Sequence, residues 1–308
     1  MPRVVIGSRG STLALVQSGS VREALQKRFP QLRVSVVPIR TQADREIDRS
    51  LDSFPEQGIF VKEIQEALLE GKIDLAVHSL KDLPSILPPG LQLVSTPRRE
   101  DPRDCLVTVR PVKMEDLPRG ARIGTGSPRR AVQILALRPD LRILPVRGNL
   151  GTRLRKLREG DFEALILAMA GLNRLGIKEY GILPFEPEQF LPAPGQGALG
   201  VEIRSDDSNL EKYVATLNHS PSSRTVKAER AFLATLGGGC RAPIGALATL
   251  RARGKIRIRG MVASQDGKKI LSLQLEEKGA PESIGERLAQ RFLDRGASQI
   301  LDRKSGSG

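Results

Sequence analysis

Two stretches of the chain place reactive side chains where ordinary packing has little need of them. The first is "TLGGGCRAPIG", Thr235 to Gly245, in which three glycines precede Cys240 and Arg241 follows it. Glycine frees the backbone ahead of the thiol, and a neighbouring cation raises its thiolate fraction. Cys240 therefore reads as a reactive thiol or, as any lone cysteine can, as a small buried hydrophobe. The second stretch is "AVHSLKDLP", residues 76–84, an apolar run that ends in Lys81 and Asp82. An aspartate at a strand end can move a proton or stabilise a developing cation. It can equally cap a turn. His78, inside the run, reads as a satisfied core histidine.

Three further turns share one device. In "GTGSPRR", Gly124 to Arg130, a strand ends and Ser127 stands at a helix cap position. Pro128 suits the first helical residue, and Arg129 and Arg130 follow. "PVRGNLGTRLRKLR" repeats the pattern with Arg147, Gly148, Asn149 as the cap, and Arg153 one turn inside. "GSRGSTLALVQ" offers Arg9 and Ser11 ahead of a third helix. A helix N-terminus favours anions through its free N–H groups and its dipole, and guanidinium adds full charge there. One such turn is weak; three point to a polyanionic ligand held at the carboxyl ends of strands.

Composition narrows the classes. The formal net charge is +14, and it is concentrated. Residues 119–158 hold eleven Arg or Lys, ten of them Arg, against the single acid Asp140. Arginine suits two-pronged contact with carboxylate or phosphate. Nucleic acid is disfavoured as a partner, because the chain has no Trp and only two Tyr for base stacking. With Cys105 and Cys240 far apart and His78 and His219 the only histidines, no zinc cluster or disulfide framework is expected. Neither histidine stands in a context that would serve a cysteine-nucleophile hydrolase. No apolar run approaches the roughly 18 residues of a membrane span, and the start "MPRVVIGSRG" is too short in apolar residues for a secretory signal. The expected location is the cytoplasm.

The elements that must position these residues follow from periodicity. Strands are expected at 4–6, 34–37, 74–78, 104–109, 122–124, 142–146 and 164–167, with helices at 12–29, 60–70, 128–138, 150–159 and 169–175 between them. Such alternation implies parallel α/β sheets. Beyond Ser220 a helix over 222–236, an alternating strand "KIRIRGMV" and a final helix over 281–295 imply a separate α+β domain. Proline-rich joints near 97–103 and 192–198 suggest two crossings between lobes. The expected organisation is lobe 1 over 1–97 plus 198–217 and an arginine-rich lobe 2 over 103–192. A C-terminal domain over 220–303 carries Cys240, and 304–308 forms a tail. "LPAPGQGALGVE", around Gln196, reads as a hinge.

Together "GSRGSTLALVQ", "DLAVHSLKDLP", "EDPRDCLV", "RGNLGTRLRKL", "PAPGQGALGVE" and "AERAFLATLGGGCRAPIGA" resemble the porphobilinogen deaminase (hydroxymethylbilane synthase) family over nearly the whole chain. The resemblance implies two lobes like those of type II periplasmic binding proteins, plus a small third domain. It implies a dipyrromethane cofactor held through a thioether to Cys240, and a transferase that condenses four porphobilinogen molecules with loss of ammonia. Hydrolysis then releases hydroxymethylbilane for tetrapyrrole synthesis. Asp82 matches the catalytic aspartate. Lys81, Asp82, Ser127, Arg129, Arg130, Arg147 and Gly148 match cofactor-holding positions, and Arg9, Ser11, Phe60, Arg153, Arg174 and Gln196 match substrate-side positions. The family suggests a monomer. The chain departs from the family pattern in "SFPEQGIF", which lacks the usual glycines and lysine, at Gly126 and Pro128, and at Ala43. A non-catalytic two-lobed module binding a dicarboxylate is the alternative reading, which gives Cys240 no purpose.

Overall fold

The computed structural model describes residues 3–41, 61–238 and 242–301. Contacts divide the chain into two compact units, Met1–Glu100 with Gly197–Arg224, and Asp101–Gln196 with Thr225–Gly308.

The first unit is built on five strands: β1 (Arg3–Arg9), β2 (Arg33–Ile39), β3 (Leu75–Ser79), β4 (Leu91–Ser95) and β10 (Leu199–Arg204), in the order β2-β1-β3-β10-β4. β1 runs parallel to β2 and β3, whereas β10 runs antiparallel to β3 and β4. Alternation decides which helix covers which face. Val4 and Ile6 of β1 pack with Val21 and Leu25 of α1 (Thr12–Arg28) and with Leu210 and Val214 of α6 (Ser208–Ala215). Val5, on the opposite face, meets Ile64 and Leu68 of α2 (Lys62–Leu69).

The second unit repeats that order. β5 (Asp104–Thr108), β6 (Arg122–Gly124), β7 (Arg142–Leu144), β8 (Ala164–Ala168) and β9 (Gly181–Pro184) stand as β7-β6-β8-β5-β9. β6 is parallel to β7 and β8, and β5 is antiparallel to β8 and β9. Ile134 of α3 (Pro128–Leu137) packs on one face with Leu106 and Ile166. Leu154 and Leu157 of α4 (Leu150–Arg158) and Leu172 of α5 (Met169–Arg174) pack on the other with Cys105 and Leu167.

The expectation of parallel sheets is thus corrected. Each sheet takes one antiparallel strand in its fourth position: β5, the first strand after the chain leaves the first unit, and β10, the strand on which it returns. The matched order bears out the two-lobed α/β architecture.

A third sheet also belongs to the second unit. β11 (Ile244–Leu250), β12 (Ile256–Ala263) and β13 (Ile270–Glu277) form an antiparallel meander. Ile256, Ile258 and Val262 face Phe232 of α7 (Ser220–Thr235), Phe292 of α8 (Pro281–Leu293) and Ala297 of α9 (Ala297–Leu301). The opposite face turns Met261 and Ala263 toward Val132 and Leu191.

Candidate active site

Asp82 follows β3 in a turn closed by its own N–H to the Ser79 carbonyl at 2.9 Å. The Leu80 N–H donates to Ala198 O at 3.0 Å, which anchors the turn to the start of β10. The carboxylate is half-buried, and no side-chain hydrogen bond or ion pair engages it among the described residues. A carboxylate left unpaired in a partly dry setting is costly unless something cationic or protic comes to it. Lys81, also half-buried, has a partner of its own. His78, four residues upstream, is a core residue: its Nε2 lies 2.9 Å from Oε2 of the buried Glu202, whose other oxygen accepts from Gln65 at 2.9 Å.

Two of the three predicted cap turns form as expected. Ser11 caps α1, accepting from the Ala14 N–H at 3.3 Å. Asn149 caps α4, accepting from the Thr152 N–H at 2.9 Å. Gly148 adopts φ +97°, and a Cβ there would press on the Thr152 side chain, so glycine is needed for both reasons. Arg153 reaches back from α4 to donate Nε to Gly148 O at 2.8 Å, tying the helix to its own turn. Arg9 ends β1, Arg147 precedes Gly148, and Arg174 lies in the last turn of α5. All three are half-buried with partners in place.

The third turn differs. Ser127 occupies the N-cap of α3 with extended φ and ψ, but its side chain makes no cap bond. Instead its N–H donates to Thr125 Oγ1 at 3.2 Å. Pro128 has no N–H, so the amides of Arg129 and Arg130 and the Ser127 hydroxyl are left as donors at this helix start.

Arg129 and Arg130 themselves are buried, at 4% and 7% exposure, where the sequence suggests charges offered to an anion beside a cap. Both clasp Asp104, the first residue of β5, which is wholly buried. Arg129 donates Nη1 to Asp104 Oδ2 at 2.7 Å. Arg130 donates Nε and Nη2 to Oδ1 at 3.0 and 2.7 Å, and Nη1 to Ile166 O at 2.9 Å. Gln196, 1% exposed, joins them with Nε2 on Asp104 Oδ1 at 2.9 Å and on Pro102 O at 2.8 Å. Burial alone would raise the Asp104 pKa, but the two guanidinium groups more than offset it and hold the carboxyl at about 2. Burial lowers the Arg129 pKa against the pull of Asp104. Removing one partner from such a buried ionic group commonly costs about 3–5 kcal/mol. Asp104 is not among the residues the sequence singles out. Its one signal is an acid opening a strand whose five residues are all buried.

Cys240 and Phe60 lie outside the described residues. Two of the glycines ahead of Cys240, Gly237 and Gly238, have local reasons of their own. Gly237, just past α7, adopts φ +67°, and a Cβ on Gly238 would run into Ile244. Cys105 is a buried thiol pushed up to about 12 by desolvation, which removes it as a nucleophile. The described residues include no group of acids, histidines and cysteines able to hold a metal, and no helix long and apolar enough to cross a membrane. A groove of roughly 320 Å³ lined by Gln133, Leu191, Arg259, Met261 and Ser272 contains none of the candidate residues.

Two family models match the chain: "Porphobilinogen deaminase, dipyromethane cofactor binding domain" over residues 4–212, and "Porphobilinogen deaminase, C-terminal domain" over 223–294. A curated porphobilinogen deaminase of Roseiflexus sp. (strain RS-1) is 48% identical over 298 residues, covering 97% of this chain and 98% of that protein. The protein of the same description from Syntrophobacter fumaroxidans is 47% identical over 300 residues, covering 96% of each. Among solved structures, a Salmonella typhimurium periplasmic binding protein with high arginine specificity is similar at TM-score 0.39 and 14% identity, covering 72% of this chain and 94% of that one.

Proposed function

The chain belongs to the porphobilinogen deaminase family, and from that premise we propose how its residues divide the work. The family's activity is that of a transferase that makes hydroxymethylbilane from porphobilinogen, and its larger domain binds dipyrromethane. That leaves the non-catalytic dicarboxylate-binding module without support.

Cys240 is the proposed attachment point, through a thioether. Dipyrromethane, when bound, supplies a nucleophilic pyrrole carbon from which the product chain grows. Its acetate and propionate arms need cationic and N–H donors, and the second unit has them at one helix start. The donors are the Ser127 hydroxyl, the Arg129 and Arg130 amides, and the Nε and Nη2 of Arg129, which have no partner among the described residues. Arg147 and Gly148 belong to the neighbouring turn of the same unit. Lys81 and Asp82 are further proposed cofactor-holding residues. Arg9, Ser11, Phe60, Arg153, Arg174 and Gln196 are the proposed substrate-side residues. For Gln196 this is the least direct role, because its amide is engaged by Asp104 and Pro102.

Asp82 is the proposed catalytic residue. Its carboxylate would accept pyrrole N–H groups, stabilise positive charge as ammonia leaves, and assist the proton transfer. One observation carries this reading: a half-buried carboxylate without a partner among the described residues, held on a strand-end turn fixed at both ends. A cytoplasmic monomer is the proposed working form.

Intact mass tests the assignment. The purified protein should exceed its sequence mass by a dipyrrole adduct that maps to Cys240, and brief exposure to porphobilinogen should add further pyrrole units. Cys240→Ala should be folded, of bare sequence mass and inactive. A bare mass in the wild type, or turnover in the alanine variant, overturns the attachment.

A further inference from the structure

At the start of α3 the two buried arginines face a single carboxylate, Asp104, so this trio carries a net positive charge; the second unit's other buried carboxylate, Glu229, accepts instead from the Gly195 and Ala248 N–H groups. The helix dipole there is also positive. The two arginines are not equivalent. All three nitrogens of Arg130 are engaged by protein oxygens, two on Asp104 and one on Ile166. Among the described residues Arg129 engages only Nη1, on Asp104 and on the Leu191 carbonyl, and that carbonyl also accepts from Gln133. Asp104 is fixed in its turn by the β5 ladder, by the Phe185 N–H on its carbonyl at 2.9 Å, and by the Gln196 amide.

From this we infer that Asp104 is a positioning residue. Its carboxylate locks Arg130 as a structural member and aims the remaining Nε and Nη2 donors of Arg129 at a carboxylate of the bound pyrrole chain. The inference rests on the reading that Arg129 holds such a carboxylate. It adds that the pair divides into one structural and one ligand-facing arginine, and that Asp104 makes the division. Asp104 itself touches no ligand; its effect passes through Arg129. Because Gln196 shares the same oxygen as Arg130, the carboxylate also fixes the segment by which the chain leaves this unit.

Kinetics of cofactor-loaded protein test the inference, with loading measured by intact mass. Asp104→Asn keeps the shape and removes the charge; Asp104→Glu keeps the charge and adds a methylene to a wholly buried site. If the charge aims Arg129, loaded Asp104→Asn loses about 100-fold in kcat/KM, as misplacement on the scale of an ångström does. Asp104→Glu then recovers part of that loss. If Asp104 only fills space, the isosteric amide is the milder change, and loaded Asp104→Asn keeps wild-type kcat/KM. Either wild-type kinetics in Asp104→Asn or a worse result in Asp104→Glu overturns the proposal.

Should neither variant fold, Arg129→Gln and Arg130→Gln decide. Both lose a buried partner of Asp104, but the first should lose less thermal stability than the second while losing more cofactor or turnover. Equal behaviour of the two overturns the division. Full loading and full activity in Arg129→Gln would instead remove Arg129 from the ligand site and overturn the underlying reading, an outcome distinct from equal losses in the two variants.

Discussion

At the scale of single residues, Asp82 and Asp104 are both carboxylates at strand ends, and their surroundings give them opposite work. Asp104 is wholly buried, doubly paired and held at about 2. It is never offered to a ligand. Asp82 is half-buried and unpaired among the described residues, so its charge is available. Asp82→Asn keeps the size and hydrogen-bonding reach of the side chain and removes the charge. It should lower turnover by roughly 10²- to 10⁴-fold, the usual worth of a positioned acid or base. Enzyme–substrate adducts should remain visible by mass, because the cofactor and its tether are intact. Unchanged single-turnover rates would take Asp82 out of the chemistry. Asp82 could be found from sequence because the strand-end pattern around it is local. The role of Asp104 could not, since its partners lie 25, 26 and 92 positions away. Sequence spacing read Arg129 and Arg130 as charges offered to an anion; it could not show that Asp104 of β5, 25 and 26 positions upstream, holds them in the interior.

At the scale of elements, the strand-to-helix turns were legible because glycine, capping side chain and proline act within a few residues. Even so, the cap itself separates two turns that look alike on paper. Asn149 bonds the Thr152 N–H, whereas Ser127 bonds no N–H of its helix. Asn149→Ala should therefore cost about 1 kcal/mol of stability. Ser127→Ala should stay within about 0.5 kcal/mol. Denaturant midpoints at unchanged slope measure both. If the Ser127 hydroxyl is a cofactor donor, its alanine variant should instead lose cofactor loading, read by intact mass, at near-wild-type stability. A loss of stability like that of Asn149→Ala would mean that the hydroxyl serves the helix after all. The antiparallel β5 and β10 were hidden for a different reason. Strand direction is fixed by where the chain crosses between units, and no local periodicity records it. The start of "LGVEIR" read as part of a hinge because Pro194, Gly195 and Gly197, just ahead of it, punctuate more loudly than its five buried residues in a row.

At the scale of the whole molecule, charge sets the response to acid. The 49 Lys and Arg already exceed the 35 acids, and protonating those acids would leave the cations unopposed. Self-repulsion then destabilises the compact state everywhere, and salt screens it. Asp104 adds a separate contribution. Its carboxyl is held below its ordinary value of 3.8, at about 2, by the arginine pair. A group depressed in the folded state stabilises that state above its unfolded pKa and loses the contribution as pH falls through the folded one. For Asp104 this amounts to on the order of 2 kcal/mol, present above about pH 4 and lost toward about pH 2. The pair is buried, so salt should do little to it. Acid unfolding followed by hydrogen exchange should accordingly split in two. Raising the salt to roughly 1 M should restore protection generally, while a salt-insensitive loss between about pH 4 and 2 persists in β5 and β8 of the second unit. Asp104→Asn should be less stable at neutral pH yet lack that salt-insensitive step, because nothing at position 104 remains to be protonated. If the step survives in the variant, another buried carboxyl of the second unit carries it.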